Sequence, residues 1–165
     1  MKQSLYLETT IPSYLVARTS SSLVIAGRQA VTYDFWEDER HKYDLYVSDF
    51  VFEECEKGDS VAAKRRLELL DGIDILETTS DVEPLADVYV RLLSLPKKSR
   101  VDALHLAICC VYGIDILLTW NCTHLGNDYI MRLTQKYNDA HGLSTPRMIT
   151  PDFLVGKYME VDFDE

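Results

Sequence analysis

Apolar and polar positions between residues 99 and 127 follow two periods in turn, first that of a helix and then that of a buried strand. Ser99 is placed as the N-cap of the helix, Asp102 as the acid of a capping box, and Gly113 as the C-cap. Residues 114–119 form a short apolar run, which is typical of a strand buried on both faces of a parallel sheet. Because ligands collect beyond the carboxyl ends of such strands, residues 120–122 are expected to lie at a site. The helical stripe consists of Val101, Leu104, Ile108 and Val111.

The same alternation of strand and helix patterns runs along the rest of the chain. It predicts an α/β fold with a parallel sheet and helices on both faces. Right-handed crossovers then bring all the strand carboxyl ends to one edge. We expect a single domain over residues 1–156 and a loose acidic tail over residues 157–165. The other predicted strands are 5–7, 44–47, 73–76 and 148–149, and the other predicted helices are 13–17, 23–39, 49–57, 60–70, 81–95 and 127–141.

The composition limits the functional classes to which the protein can belong. The 165 residues carry a net charge of −10 with a sequence pI near 4.8, which argues against nucleic-acid binding over the whole surface. A local site is compatible with this acidity, because a divalent cation held by carboxylates attracts phosphate. No run is apolar enough to span a bilayer, and the N-terminus has no signal-peptide pattern. The four cysteines form no CxxC pair, so we expect reduced thiols and a cytoplasmic protein without membrane association.

Oxygen-bearing side chains stand where predicted strands end and helices begin. Glu8 follows the first strand, and Glu54 lies at the border of the apolar face of a helix. Asp102 opens a helix, and Asn121 follows a strand. Carboxylates that converge at one sheet edge repel each other unless a cation lies between them, and hard oxygen ligands suit Mg²⁺ or Mn²⁺. Such a cation polarises a phosphoryl oxygen and activates water, so no serine, cysteine or histidine nucleophile is needed.

Each of these four candidates also has a purely structural interpretation. Asp102 is equally well explained as the capping partner of Ser99. Glu8 is explained as a solvated strand end, and Glu54 as one of several acids on a solvated helix face. Asn121 is a common turn residue.

Weaker candidates lie near these four. His105 either orients a ligand or contacts phosphate, although a packed helix histidine is the more common situation. Thr9 and Thr10 either contact the substrate or cap a helix. Cys122 and His124 lack a second pair at zinc spacing, so a zinc site has little support.

Other phosphate chemistries have less support. The sequence contains no GxxxxGK[ST] loop and no GxGxxG after the first strand, which removes the main argument for mononucleotide and dinucleotide folds. A receiver-type aspartyl-phosphate domain requires an aspartate at the end of the first strand, and this chain has Glu8 there.

Four short motifs, taken in order, resemble the PIN-domain family and within it the VapC-type ribonucleases. The first is LETT at residues 7–10, where the family has Asp-Thr-Asn or a relative. The second is Glu54 followed four residues later by Gly58. The third is DALHLA at residues 102–107, which matches D-A-L-x-x-A, and the fourth is TWN at residues 119–121, which matches T-x-N. The resemblance extends over most of the chain.

The resemblance implies an α/β/α sandwich with a central parallel sheet of about five strands. It implies an endoribonuclease that depends on Mg²⁺ or Mn²⁺, leaves a 3′-hydroxyl and a 5′-phosphate, forms a homodimer and acts as a toxin silenced by an antitoxin. Glu8, Glu54 and Asp102 would hold the metal directly or through water. Asn121 would position a metal-bound water or the substrate. The weaker candidates for contacting the substrate or supporting the metal ligands are Thr9, Thr10, Lys98, Arg100, His105 and Asn127.

Two departures from the family pattern concern the predicted site. Glu8 replaces an aspartate, so its carboxylate reaches about one methylene further, and the neutral Asn121 lowers the charge of the site. The alternative from another functional class is a catalytically weak PIN-like module that acts only by binding a partner protein.

Overall fold

The protein is described by a computed structural model over residues 1–156. In these residues, strands and helices alternate as the sequence predicts, and all five strands are parallel. The strands are β1 Ser4–Leu7, β2 Asp44–Ser48, β3 Asp74–Leu76, β4 Ile116–Leu118 and β5 Arg147–Ile149. The helices are α1 Thr10–Val16, α2 Leu23–Asp34, α3 Asp49–Cys55, α4 Ser60–Leu69, α5 Val82–Leu92, α6 Arg100–Tyr112 and α7 Asp128–His141.

The sheet has the strand order β3-β2-β1-β4-β5, with helices on its two faces in an α/β/α sandwich. The chain first builds outward from β1 to β3 and then crosses to the other side of β1 to add β4 and β5. The strand order therefore reverses between β1 and β4. In open parallel sheets, ligands bind in the crevice at such a switch point, beyond the carboxyl ends of the strands.

The two central strands and helix α6 form the middle of the core. Leu5, Leu7 and Leu117 have no exposed surface, and every residue from 103 to 110 in α6 is buried. A helix that is buried on nearly all sides has no polar face. A polar residue within it, such as His105, therefore needs partners inside the protein.

The predicted elements are all present, and the differences lie at their ends. The first helix starts at Thr10 instead of residue 13, directly after Glu8 and Thr9. The second helix is regular only to Asp34 and then widens into a π-helical turn, Phe35–Glu39, which buries Phe35. The predicted C-cap at Gly113 is confirmed, with a left-handed φ of 67°, and Gly142 ends α7 in the same way with φ of 68°.

The predicted acidic tail, residues 157–165, lies outside the described residues, and the single-domain assignment of residues 1–156 stays a prediction. None of the helices from residue 1 to residue 156 has the length and apolar character that a membrane crossing requires.

Candidate functional site

Glu8 lies at the switch point of the sheet. Its backbone N–H donates to Leu118 O at 3.1 Å, so it extends the pairing of β1 with β4 by one residue. Only 5 % of the residue is exposed. Its Oε2 accepts from the Thr10 backbone N–H at 3.1 Å, from the Thr119 hydroxyl at 2.8 Å and from the Thr10 hydroxyl. The structural interpretation of Glu8 as a solvated strand end is therefore wrong.

The second carboxylate oxygen of Glu8 faces a cavity. Within residues 1–156, Glu8 Oε1 has no hydrogen-bond partner, and no fully buried side-chain oxygen or nitrogen lacks one. Oε1 is therefore accessible to solvent. The adjoining cavity has a volume of about 520 Å³ and is lined by Glu8, Glu54 and residues of α1 and α2. It is the space in which a ligand would meet both carboxylates.

Glu54 reaches this cavity from α3, a helix whose N-cap is Ser48. Its Oε1 accepts from the Thr9 hydroxyl at 2.6 Å and from His105 Nε2–H at 2.8 Å. Burial would raise the pKa of Glu54, but the hydrogen bonds from His105 and Thr9 outweigh it and hold the pKa below its ordinary value. Glu54 is thus a carboxylate with one fixed oxygen. Thr9 makes no side-chain cap, so the capping interpretation of this threonine is wrong.

His105 is fully buried and joins Glu54 to the core. Its Nδ1 lies 2.6 Å from the Tyr6 hydroxyl, which lies 2.7 Å from Ser48 Oγ. Burial would lower the pKa of His105, but its bond to Glu54 and the charges of Glu8, Glu54 and Asp102 outweigh this and raise it. All three acids therefore act on one buried ring. A ring without exposed surface does not contact phosphate, so His105 supports Glu54 instead.

Tyr6→Phe is expected to destabilise the protein by about 1–3 kcal/mol, because it removes the hydroxyl that joins Ser48 to His105 and leaves the buried Nδ1 of His105 without that partner. Urea unfolding followed by circular dichroism measures this. Tyr46→Phe on the neighbouring strand is the matched control, since the Tyr46 hydroxyl makes no hydrogen bond with the described residues, and a change of at most about 0.5 kcal/mol is expected. Equal effects of the two variants would contradict the role of the Tyr6 hydroxyl.

Asp102 lies in the first turn of α6, but it is not a capping-box acid. Ser99 ends a short 3₁₀ turn, its backbone is not extended, and no side-chain cap bond forms. The capping interpretation of Asp102 is therefore wrong. Asp102 Oδ2 instead lies 2.8 Å from Nδ1 of His124, a residue in the segment between β4 and α7.

Asn121 and Asn127 organise this segment. Asn121 Oδ1 accepts from the His124 backbone N–H at 3.1 Å, and the Asn121 Nδ2 has no partner among the residues that the structure describes. Asn127 caps α7 by accepting from the Ile130 N–H at 3.0 Å, and its Nδ2 donates to the carbonyls of Cys122 and Thr123. Both asparagines therefore have structural roles in the loop.

Asn127→Ala is expected to lower the free energy of unfolding by about 1–2 kcal/mol, since the cap and both loop bonds are lost. Asn127→Asp keeps the capping oxygen and removes only the two donors, so a smaller loss is expected. Chemical unfolding of both variants tests whether the alanine variant loses more stability than the aspartate variant. An alanine variant as stable as the wild type would contradict the capping role.

The basic residues near the site are not those that the sequence predicts. Arg100 pairs with Asp87 at 3.1 Å and with Glu83 at 3.8 Å, both on α5, so its charge is directed away from a substrate. Lys98 is exposed and makes no hydrogen bond or ion pair with the described residues. Arg18, which the sequence patterns did not indicate, lines the cavity beside Glu8. The cationic side chain at the cavity is therefore contributed by α1 and its following turn.

The three carboxylates offer ligand chemistry for a hard divalent cation. Each has one oxygen held by hydrogen bonds and one oxygen without a partner among residues 1–156. The second oxygens are Glu8 Oε1, Glu54 Oε2 and Asp102 Oδ1. Such oxygens are preferred by Mg²⁺ and Mn²⁺. Residues 1–156 contain no group of three or more His, Cys, Asp or Glu side chains close enough to hold a metal ion as they stand. The donor types of Glu8, Glu54 and Asp102 suit the cation.

Comparison with solved structures identifies the fold. VapC20 of Mycobacterium tuberculosis, a toxin that cleaves the sarcin–ricin loop, superimposes with a TM-score of 0.57 at 17 % identity, covering 72 % of this chain and 91 % of VapC20. VapBC2 of Rickettsia felis, bound to a DNA fragment from its promoter, gives a TM-score of 0.54 at 13 % identity over 90 % and 97 % of the two chains. The chain has the PIN-domain fold of VapC proteins. No protein-family model and no curated protein sequence matches it.

The PIN fold explains why residues far apart in sequence meet. Glu8 follows β1, Asp102 opens the helix that precedes β4, and Thr119 follows β4, so the parallel sheet brings them to one edge. Sequence patterns missed Thr119 and His124 as partners of the acids, and Tyr6 as the partner of His105. A hydroxyl in a core strand was the available signal for Tyr6, but strand tyrosines are common and the signal is weak.

Proposed function

We propose that this protein is an endoribonuclease that depends on Mg²⁺ or Mn²⁺ and acts as the toxin of a toxin–antitoxin pair. The observation that carries the proposal is the three carboxylates of a PIN fold, of which Glu8 lies at the switch point, each held on one oxygen and without a partner among residues 1–156 on the other. The RNA-cleaving activity named for VapC20, which has the same fold, supports the choice of substrate.

Glu8, Glu54 and Asp102 would hold the cation through their free oxygens. When bound, the cation supplies Lewis-acid polarisation of the phosphodiester and activation of water. Thr10 and Thr119 fix the Glu8 carboxylate, and His105 fixes that of Glu54. These donors fix one oxygen of each carboxylate, which limits the orientations that its other oxygen can take.

Asn121 and Arg18 are the proposed contacts of the RNA. Asn121 Nδ2 is a donor without a partner among the described residues, and it follows the same strand as Thr119, which binds Glu8. Arg18 lines the cavity that contains Glu8 and Glu54. An overall charge of −10 disfavours a long backbone-tracking interface, so we propose a short or structured RNA as the substrate.

Cleavage of an end-labelled RNA stem-loop tests the function. We expect cuts with Mn²⁺ or Mg²⁺, no cuts with EDTA, and recovery when metal is added in excess. Products are expected to carry a 5′-phosphate and a 3′-hydroxyl. Cleavage that persists in EDTA, or products with a 2′,3′-cyclic phosphate, would contradict a metal-dependent hydrolysis.

The proposed partner proteins are an antitoxin and a second copy of the chain. Leu23, Val24 and Tyr33 are exposed apolar side chains on α2, the helix whose Ile25 and Gln29 line the cavity. An antitoxin seated there would cover the cavity, so we expect it to inhibit cleavage and to slow amide hydrogen exchange in α2. Unchanged exchange in α2 when cleavage is inhibited would place the antitoxin elsewhere. Sedimentation equilibrium tests the predicted homodimer.

A further inference from the structure

We propose that His124 is a positioning residue that fixes Asp102 through its Nδ1–H, an inference that rests on the proposed function of Asp102 as a metal ligand. His124 Nδ1 and Asp102 Oδ2 are 2.8 Å apart. The side chains are 23 % and 17 % exposed, so the pair is largely shielded from solvent. A contact of this kind holds the carboxylate in one rotamer with Oδ1 free.

The loop around His124 is tied on both sides of the histidine. Before it, Asn121 accepts the His124 N–H through Oδ1, and Asn121 O accepts from the backbone N–H groups of Leu125 and Gly126. After it, the fully buried Leu125 anchors the loop in the core, and Asn127 Nδ2 donates to Thr123 O. The backbone of His124 is therefore fixed, which an incidental surface ion pair does not require.

The same loop also reaches Glu8. Thr119 Oγ1 accepts from the Asn121 backbone N–H at 2.9 Å and donates to Glu8 Oε2 at 2.8 Å. One connection between β4 and α7 thus supports two of the three carboxylates, Glu8 through Thr119 and Asp102 through His124. A buried histidine on α6 supports the third, Glu54, from the other side.

This arrangement gives His124 a function that ordinary loop packing does not explain. Hydrogen-bond partners that orient metal ligands change metal affinity or activity by about 10–100-fold when they are removed. Loss of a surface contact that plays no part in the site would change neither metal affinity nor activity. The neutral Asn121 leaves the site with fewer charges, so the orientation of the remaining carboxylates carries more of the metal affinity.

The His124–Asp102 pair is tested first without metal, by ¹⁵N NMR of the imidazole at a pH where the ring is neutral. We expect the Nδ1–H tautomer in the wild type and the Nε2–H tautomer in Asp102→Ala. A wild-type ring with its proton on Nε2 would overturn the proposal. Because this readout needs no metal and no RNA, it remains decisive even if the proposed function fails.

Metal affinity is tested next by titrating Mn²⁺ and following the free ion by electron paramagnetic resonance. We expect His124→Ala to weaken binding by about 10–100-fold with a thermal midpoint near that of the wild type. His124→Asn, whose amide can donate from nearly the same place as Nδ1, is expected to recover most of the affinity. His141→Ala, on an exposed histidine at the end of α7, is the matched control and should bind as the wild type does.

The outcomes separate the two proposals. Wild-type affinity in His124→Ala, or no recovery in His124→Asn, would overturn the positioning role while leaving the ribonuclease proposal in place. A wild-type protein that does not bind Mn²⁺ would overturn the proposed function itself.

Discussion

Asp102→Asn is expected to reduce the rate of RNA cleavage by at least about 100-fold. Removing a residue that only supports a metal ligand lowers metal affinity or activity by about 10–100-fold. Asp102 is proposed as a ligand itself, so its loss is expected to have a larger effect. The side-chain shape is kept, and the amide oxygen can still accept from His124, so the fold is expected to persist. Single-turnover cleavage of the labelled stem-loop, together with Mn²⁺ affinity, measures the effect.

Asp139→Asn is the matched control for this prediction. It removes the same charge from an exposed aspartate on α7 that makes no hydrogen bond or ion pair with the described residues. We expect wild-type cleavage from this control. Equal rates for Asp102→Asn and the wild type would show that Asp102 does not take part in the reaction.

Glu8→Gln is expected to have an effect of similar size, again at least about 100-fold in cleavage. Three donors, two from Thr10 and one from Thr119, converge on Glu8 Oε2, so the carbonyl oxygen of glutamine will occupy that position. The amide nitrogen then faces the cavity, where it cannot bind a cation. The fold should be kept, because all three donors retain an acceptor.

Two further variants make the Glu8 prediction specific. Glu8→Asp shortens the side chain by one methylene and draws the carboxylate away from either the donors or the cavity, so we expect reduced cleavage and reduced stability together. Glu53→Gln on the exposed face of α3 should leave both properties unchanged. Cleavage by Glu8→Gln at the wild-type rate would show that Glu8 takes no part in the reaction, whereas a folded wild-type protein that does not cleave RNA would favour the alternative of a protein-binding module.

The fold was predictable because its signals are local. The short apolar runs at 5–7 and 114–119 mark the two central strands, and glycines at 113 and 142 end two helices. Parallel topology then requires that Glu8 and the end of β4 meet at one edge, so the neighbourhood of the site followed from the order of elements alone.

The hydrogen-bond partners of the acids were not predictable in the same way. The contact of Tyr6 with His105 spans 99 residues, and that of Glu8 with Thr119 spans 111. Such pairs depend on strand register and rotamers, which hydrophobic patterns do not specify. At Asp102 the local pattern was misleading, because Ser99 and Asp102 have capping-box spacing but a 3₁₀ turn enters the helix and removes the extended N-cap backbone.

The most direct test of the central claim is anomalous diffraction from crystals soaked in Mn²⁺. We expect one strong anomalous peak in contact with Glu8 Oε1, Glu54 Oε2 and Asp102 Oδ1. The bonds of Thr119 to Glu8, His105 to Glu54 and His124 to Asp102 are expected to persist. No peak at this edge of the sheet at saturating Mn²⁺, or a peak that these carboxylates do not contact, would contradict the account.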